Sequence, residues 1–179
     1  MKRLKKVSVL IIALTLSFCS RGKVTNNSAD AELIRMQIIN IGLYADTHKL
    51  EKLLRIFNKK VLLDYSSFIG GQPTLLNANQ IIDNWKRFLP GFDKTMHFID
   101  IKKIQITGKQ ADCFSSVMAV HYIKNYQSWK VYGYYRHHLI KSENGWKVDK
   151  MQFILTFQEG NLDLPKLAII KMKAINGAS

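Results

Sequence analysis

The stretch from 95 to 157 constrains the fold most. It divides into four runs rich in β-branched and aromatic residues, 95–106, 110–123, 129–140 and 146–157, all longer than the usual strand of about five or six residues. The separators are short and carry turn residues: Thr107-Gly108, Asn125-Tyr126-Gln127 and Glu143-Asn144-Gly145. Asn144-Gly145 is the strongest of these, because both residue types tolerate the positive φ that tight hairpins require. Strands joined by such turns run antiparallel and lie side by side. The segment therefore predicts a meander of four long strands.

Upstream the apolar period changes from two to about three and a half. Leu33, Ile34, Ile38, Ile41 and Tyr44 predict a helix over 29–44, with Asn27 and Ser28 available as caps. Leu50, Leu53, Leu54 and Phe57 predict a second, shorter helix over 48–57 that Asp46 or Thr47 can cap. VLLDYSSF (61–68) reads as a strand running into a turn at Gly70-Gly71. A further helix over 77–88 carries Ile81, Ile82, Trp85 and Leu89 and stops at Pro90-Gly91. Residues 162–175, with Pro165 and then LAIIKMKAI, have the pattern of a short C-terminal helix. Helices followed by an antiparallel meander define an α+β chain, with the helices packed on one face of a curved sheet.

The N-terminus has a separate purpose. MKRLKK precedes an apolar run from Val7 to Phe18, too short for the ~20 residues of a spanning helix but suited to the core of a secretory signal. Segment 1–19 is therefore set apart from the fold, and an exported chain is expected, in the periplasm or held at a membrane. Leu16-Ser17-Phe18-Cys19 resembles a bacterial lipobox, although Phe18 stands where that pattern has a small residue. Lipidation of Cys19 and ordinary cleavage nearby both stay open. Cys113 is then the one remaining cysteine, so an internal disulfide is not expected despite export. The remaining chain is the size of one domain.

Of the formal charge of +14, Lys2, Arg3, Lys5 and Lys6 contribute four, leaving +10 spread over the rest. That scatter suits contact with anionic lipid headgroups better than a nucleic-acid site, which needs a basic face. No glycine-rich phosphate loop, nucleophile elbow or CxxC occurs, so nucleotide chemistry, serine hydrolysis and thiol exchange have no support.

Four polar residues interrupt the apolar segments: Asp46, Tyr65, His97 and His121. Strand alternation puts His97 on the face of Ile99 and Ile101, and His121 on the face of Val117 and Ala119. Ser115, Ala119 and Gly133 would leave room above that face. Taken singly, each has an ordinary structural reading: a helix cap for Asp46, a strand aromatic for Tyr65, satisfied core imidazoles for the histidines. Together they supply the groups of proton transfer near neutral pH. A metal site is disfavoured, since His137 and His138 are adjacent on a strand and point to opposite faces, while His97 and His121 lack a third ligand at a recognisable spacing. His48 reads as a surface residue. Trp85, Tyr132, Tyr134, Phe153 and Phe157 are the aromatics expected to line or close a cavity.

Five stretches, ADTHKLEKLL, LDYSSF, KTMHFI, AVHY and ENGWK, in this order, resemble scytalone dehydratase and its relatives among the SnoaL-like domains of the nuclear-transport-factor-2-like superfamily. The likeness spans 34–158, and LDYSSF and TMHFI are its most specific pieces. It implies a cone-shaped α+β barrel for the domain, 31–160, which leaves 1–19 as the signal, 20–30 as a linker and 161–179 as a C-terminal extension. It also implies that Asp46 orients His97, that His97 is the principal acid/base, that His121 donates a proton or hydrogen-bonds substrate, and that Tyr65 helps hold a water against a substrate carbonyl. Two positions depart from the pattern: Ala45 stands where the dehydratase has a second functional tyrosine, and Tyr135 stands near a substrate-binding asparagine. Trp85, Tyr135, Phe153 and Phe157 are the expected ligand contacts, and no cofactor is implied.

Three functions remain: a lyase or isomerase acting on a small hydrophobic or carbonyl compound, a module that binds such a ligand without turnover, and a homo-oligomeric scaffold associating through its sheet. The resemblance transfers the pocket more safely than the substrate.

Overall fold

The computed structural model describes residues 26–177. The signal-like segment and Cys19 lie outside the described residues. Helix α1 (Asn26–Asp46) leads into a 3₁₀ turn (Leu50–Arg55), then β1 (Phe57–Asp64), α2 (Ser66–Ile69), β2 (Thr74–Asn77) and α3 (Ala78–Lys86). A second 3₁₀ turn (Leu89–Gly91) opens onto β3 (Lys94–Thr107), β4 (Gln110–Tyr122), β5 (Trp129–Ser142) and β6 (Gly145–Gly160), and α4 (Leu164–Gly177) follows. The six strands form one sheet in the order β2-β1-β6-β5-β4-β3. Only the β1/β6 pair is parallel; the predicted meander is the antiparallel remainder. The helices pack on one face of this curved sheet.

The meander forms as the turn residues predict. Its inward positions alternate with partly covered ones, as in β4, where Ala111, Cys113, Ser115, Val117, Ala119 and His121 are all buried. Ile34, Ile38, Ile41 and Ala45 of α1 pack onto this face. Leu33, expected on the same stripe, is instead 52% exposed. It lies one position away from the buried stripe, beside exposed Met36, Ile39 and Leu43. Helix α1 is described from Asn26, within the segment expected as a linker. Asp30, in that stretch, is buried and accepts two hydrogen bonds from Lys141 Nζ at 2.8 and 2.7 Å.

Three local expectations change. The second helix shrinks to the 3₁₀ turn because Phe57 is drawn into β1, where the Val148 N–H donates to the Ile56 carbonyl at 2.9 Å. The strand expected over 61–68 begins earlier and stops at Asp64. There the carboxylate accepts from the Ser66 N–H at 2.9 Å and the Ser66 hydroxyl at 2.6 Å, an Asx-type turn that bends the chain into α2. β2 is an additional strand, short enough to have no readable alternation. Helix α3 matches its prediction closely, with a capping box between Asn77 and Gln80. The C-terminal helix is present and integrated, since Leu164 and Ala168 are both fully buried.

Candidate active site

Asp46 ends α1 and faces β3, the edge strand whose inward side chains include Thr95 and His97. Helix and strand approach closely because Gly42, one turn earlier, has no side chain: a Cβ there would lie 2.9 Å from the Cβ of His97. The Asp46 carboxylate then collects three donors. The Thr95 hydroxyl donates to Oδ1 at 2.8 Å, the His97 backbone N–H donates to Oδ2 at 2.8 Å, and His97 Nδ1 lies 2.6 Å from Oδ1. This last contact puts the ring proton on Nδ1 and leaves Nε2 bare, the orientation a carboxylate imposes on a catalytic imidazole. Burial alone would raise the Asp46 carboxyl. The hydrogen bond and charge of His97, its N–H and the Thr95 hydroxyl outweigh burial and hold the group below the ordinary aspartate value. Asp46 therefore serves the imidazole and caps no helix: the residue before the 3₁₀ turn is Lys49, and no side chain caps it.

His97 pairs with Ala119, and His121 lies opposite Thr95, so both imidazoles share the inner face as alternation requires. Their ring centroids are 5.9 Å apart. His121 is wedged between Phe92 and Trp129, at 4.7 and 4.4 Å. Burial and neighbouring His97 push its pKa down to about 3. The ring is thus neutral at working pH and offers a hydrogen bond, not an imidazolium proton.

Beyond the two histidines opens a cavity of about 670 Å³, within the range of small-molecule sites. Ile99, Val117, Ala119 and Val131 line it together with Tyr65, Phe68, Ile69, Trp85, Phe88, Tyr135 and Phe153. Burial, reinforced by the nearby Tyr135, pushes the Tyr65 phenol well above its ordinary value, and burial raises Tyr135 likewise. Both stay protonated donors. Asp46 stands behind His97, and no Lys, Arg, Asp or Glu lines the cavity among the described residues.

Asp46, His97, His121 and Tyr65 are thus brought to one site, with Tyr135, Trp85 and Phe153 around it. Phe157 is not. A bulge in β6, between Leu155 and Phe157, places Phe157 opposite Tyr132 on the outer face, where the rings stack at 4.2 Å and Phe157 is 50% exposed. Tyr134 is likewise outside, stacked on Phe114 at 5.2 Å. Gly133 does not open space as expected: a Cβ there would meet the Phe153 ring at 2.8 Å, so the ring fills the room. Thr95, Gly42, and Pro165 and Ile169 of α4 complete the site and were not singled out by sequence. Thr95 alone had a signal, lying two residues before His97 on the same strand face.

His137 and His138 do point to opposite faces, and no cluster of three or more His, Cys, Asp or Glu fit for a metal occurs among the described residues. Cys113 is buried, which raises its thiol to about 11. His48 is exposed, with φ 52°.

The family model for the SnoaL-like domain matches residues 27–152. The chain belongs to the SnoaL-like domain family. Solved structures agree on the fold. The Kfla4162 protein of Kribbella flavida superposes with a TM-score of 0.73 at 19% identity, covering 80% of this chain and 99% of that one. A protein of Novosphingobium aromaticivorans assigned as a scytalone dehydratase has a TM-score of 0.60 at 20% identity, covering 75% and 89%. A type-2 hexachlorocyclohexane dehydrochlorinase has 0.62 at 12%, covering 75% and 90%. At such identities the likeness speaks for the fold alone. No curated protein matches the chain. The family match ends before α4, yet α4 contributes Pro165 and Ile169 to the cavity of this SnoaL-like domain.

Proposed function

We propose that this SnoaL-like protein is a lyase or isomerase that performs acid/base chemistry on a small, uncharged carbonyl compound. The observation that carries the reading is the 2.6 Å contact between His97 Nδ1 and Asp46 Oδ1 at the edge of an apolar cavity. His97 Nε2 removes a proton from the carbon beside the carbonyl, and the electron pair moves onto the carbonyl oxygen. Tyr65 donates a hydrogen bond to that developing enolate. As the enolate collapses, the bond to a β-hydroxyl breaks, and the leaving oxygen takes the proton from His97 to depart as water. His97 ends neutral, and Asp46 has stabilised its transient charge. Isomerisation shares the first half of this sequence and returns the proton to a different carbon. Neutral His121 supplies a hydrogen bond to substrate.

The test is proton exchange. Cyclic β-hydroxyketones in D2O should gain deuterium beside the carbonyl faster with the protein than with buffer, followed by NMR. The exchange should fall with His97→Ala; equal exchange in both forms would sink the reading. A second reading, ligand binding without turnover, is favoured by Ala45, a buried methyl where the dehydratase resemblance calls for a second phenol. Ligand co-purified and recovered unchanged after long incubation would support it.

The signal-like segment 1–19 motivates placing the mature protein outside the cytoplasm, with a lipid on Cys19 as the anchor. Mass spectrometry of the mature N-terminus tests both. Among the described residues no helix is long and apolar enough to cross a membrane. Homo-oligomerisation through the outer sheet face fits exposed Met96, Phe98, Tyr134 and Phe157; unchanged monomeric sedimentation after charged substitutions there would remove it.

A further inference from the structure

With no cationic side chain in the cavity wall among the described residues, an oxyanion formed inside must be held by neutral donors. Tyr65 and Tyr135 are the two phenols of that wall, and neither hydroxyl has a hydrogen-bond partner among the described residues. Buried phenols ordinarily find one. Their rings are nonetheless well fixed. Phe153 packs against both, with centroids 6.1 Å from Tyr65 and 5.3 Å from Tyr135, and the His137 ring lies 5.4 Å behind Tyr135. Packing that locks a ring while leaving its hydroxyl free is the arrangement of a preorganised donor.

The two phenols come from different elements and line one cavity. Tyr65 sits where the Asp64 turn joins β1 to α2, while Tyr135 projects inward from β5 opposite Ser115, a small, fully buried residue. Burial chiefly keeps both phenols protonated, with Tyr135 adding to the effect on Tyr65 and Asp46 to that on Tyr135. Ala45 leaves the α1 side of the cavity without a phenol.

We propose that Tyr135 is the second oxyanion donor of this site, holding with Tyr65 the carbonyl oxygen of an uncharged ligand, so that β5 supplies the phenol that α1 lacks. The inference rests on the acid/base reading for its chemistry but has its own readout.

That readout uses 2-naphthol, naphthalene and 2-naphthoate, titrated into the full-length protein and followed by fluorescence. 2-Naphthol should bind at least about tenfold tighter than naphthalene, and 2-naphthoate more weakly than 2-naphthol. Tyr135→Phe and Tyr65→Phe should each cut the naphthol-to-naphthalene preference about tenfold, leaving naphthalene affinity within about twofold. In protein carrying 3-fluorotyrosine, the fluorine resonance of Tyr135 should move with 2-naphthol and stay with naphthalene, a readout independent of any variant's folding. A preference unchanged by Tyr135→Phe, a static Tyr135 resonance, or no preference in the unaltered protein overturns the proposal. The two readings separate in the unaltered protein, where carbon-proton exchange reports the acid/base reading and the naphthol preference reports the phenol pair. If the unaltered protein shows that preference but no exchange, the acid/base reading fails and the phenol pair stands.

Discussion

Two histidine–aspartate pairs occupy opposite faces of the same sheet with the same contact, 2.6 Å between Nδ1 and Oδ1, in His97–Asp46 and in His138–Asp149. Their side chains are also similarly covered, 12% and 19% exposed in the first pair against 20% and 22% in the second. What differs is everything around them. Asp46 accepts two further hydrogen bonds, from Thr95 and from the His97 backbone, and its imidazole borders an aromatic cavity without charged lining. His138 lies in a cleft shared with Asp64, Arg136 and Lys150. A histidine–carboxylate contact is therefore an ordinary structural pair until a saturated carboxylate and a largely apolar cavity beside the ring give it a substrate to act on.

The largest expected effect breaks the symmetry outright. His97→Ala should lower the rate of carbon-proton exchange about 10²- to 10⁴-fold, the usual contribution of a positioned acid/base, whereas His138→Ala should leave it within about twofold. Comparable losses from both would erase the distinction. Asp46→Asn should cost about 10²-fold in the same assay through loss of ring orientation and charge stabilisation, with Asp149→Asn nearly silent.

A smaller effect concerns the buried histidines that no carboxylate hydrogen-bonds. His121 and His137 are buried, and burial holds each pKa down to about 3. In the unfolded chain they take up protons as pH falls below about 6.5, while in the native state they stay neutral, so the unfolded state binds more protons and stability drops on acidification. Full stability is present above that value and is lost as pH falls toward the native pKa. The slope should be on the order of 2 to 3 kcal/mol per pH unit for the two together, read as urea midpoints between pH 7 and 4. His137→Leu should flatten it by about half. The smallest effect belongs to the outer pair: Asp149→Asn should change stability by about 1 kcal/mol or less, and a larger loss would show that the outer pair carries structural weight of its own.

The legible parts of this chain were those set by local periodicity. The four strands of the meander and helix α3 lie close to their expected bounds, and the inward placement of His97 and His121 followed from alternation alone. The parts that were not legible depend on a neighbour far along the chain. Phe157 alternates into the cavity on paper and leaves it because a bulge in its own strand, between Leu155 and Phe157, shifts the pairing with Gly133 and Tyr132. The helix expected at 48–57 gave way to strand pairing with β6, and Leu33 was misplaced because neighbouring positions on an apolar helix are hard to rank without the sheet it meets.

Asp46 shows where the boundary falls. The amino-acid sequence by itself determined the α+β class, the meander, the face on which each imidazole lies and the resemblance that grouped Asp46, Tyr65, His97 and His121, because strand period and turn chemistry act within a few residues. The resemblance implied that Asp46 orients His97, while local spacing alone left it a helix cap; only the tertiary structure decided that the contact runs through Nδ1, 51 residues away, with Thr95 and the His97 N–H as further donors, and that Tyr135 shares a cavity with Tyr65. Those outcomes depend on how closely α1 can approach β3 over Gly42 and how Phe153 fills the space at Gly133, which are matters of packing between elements distant in sequence.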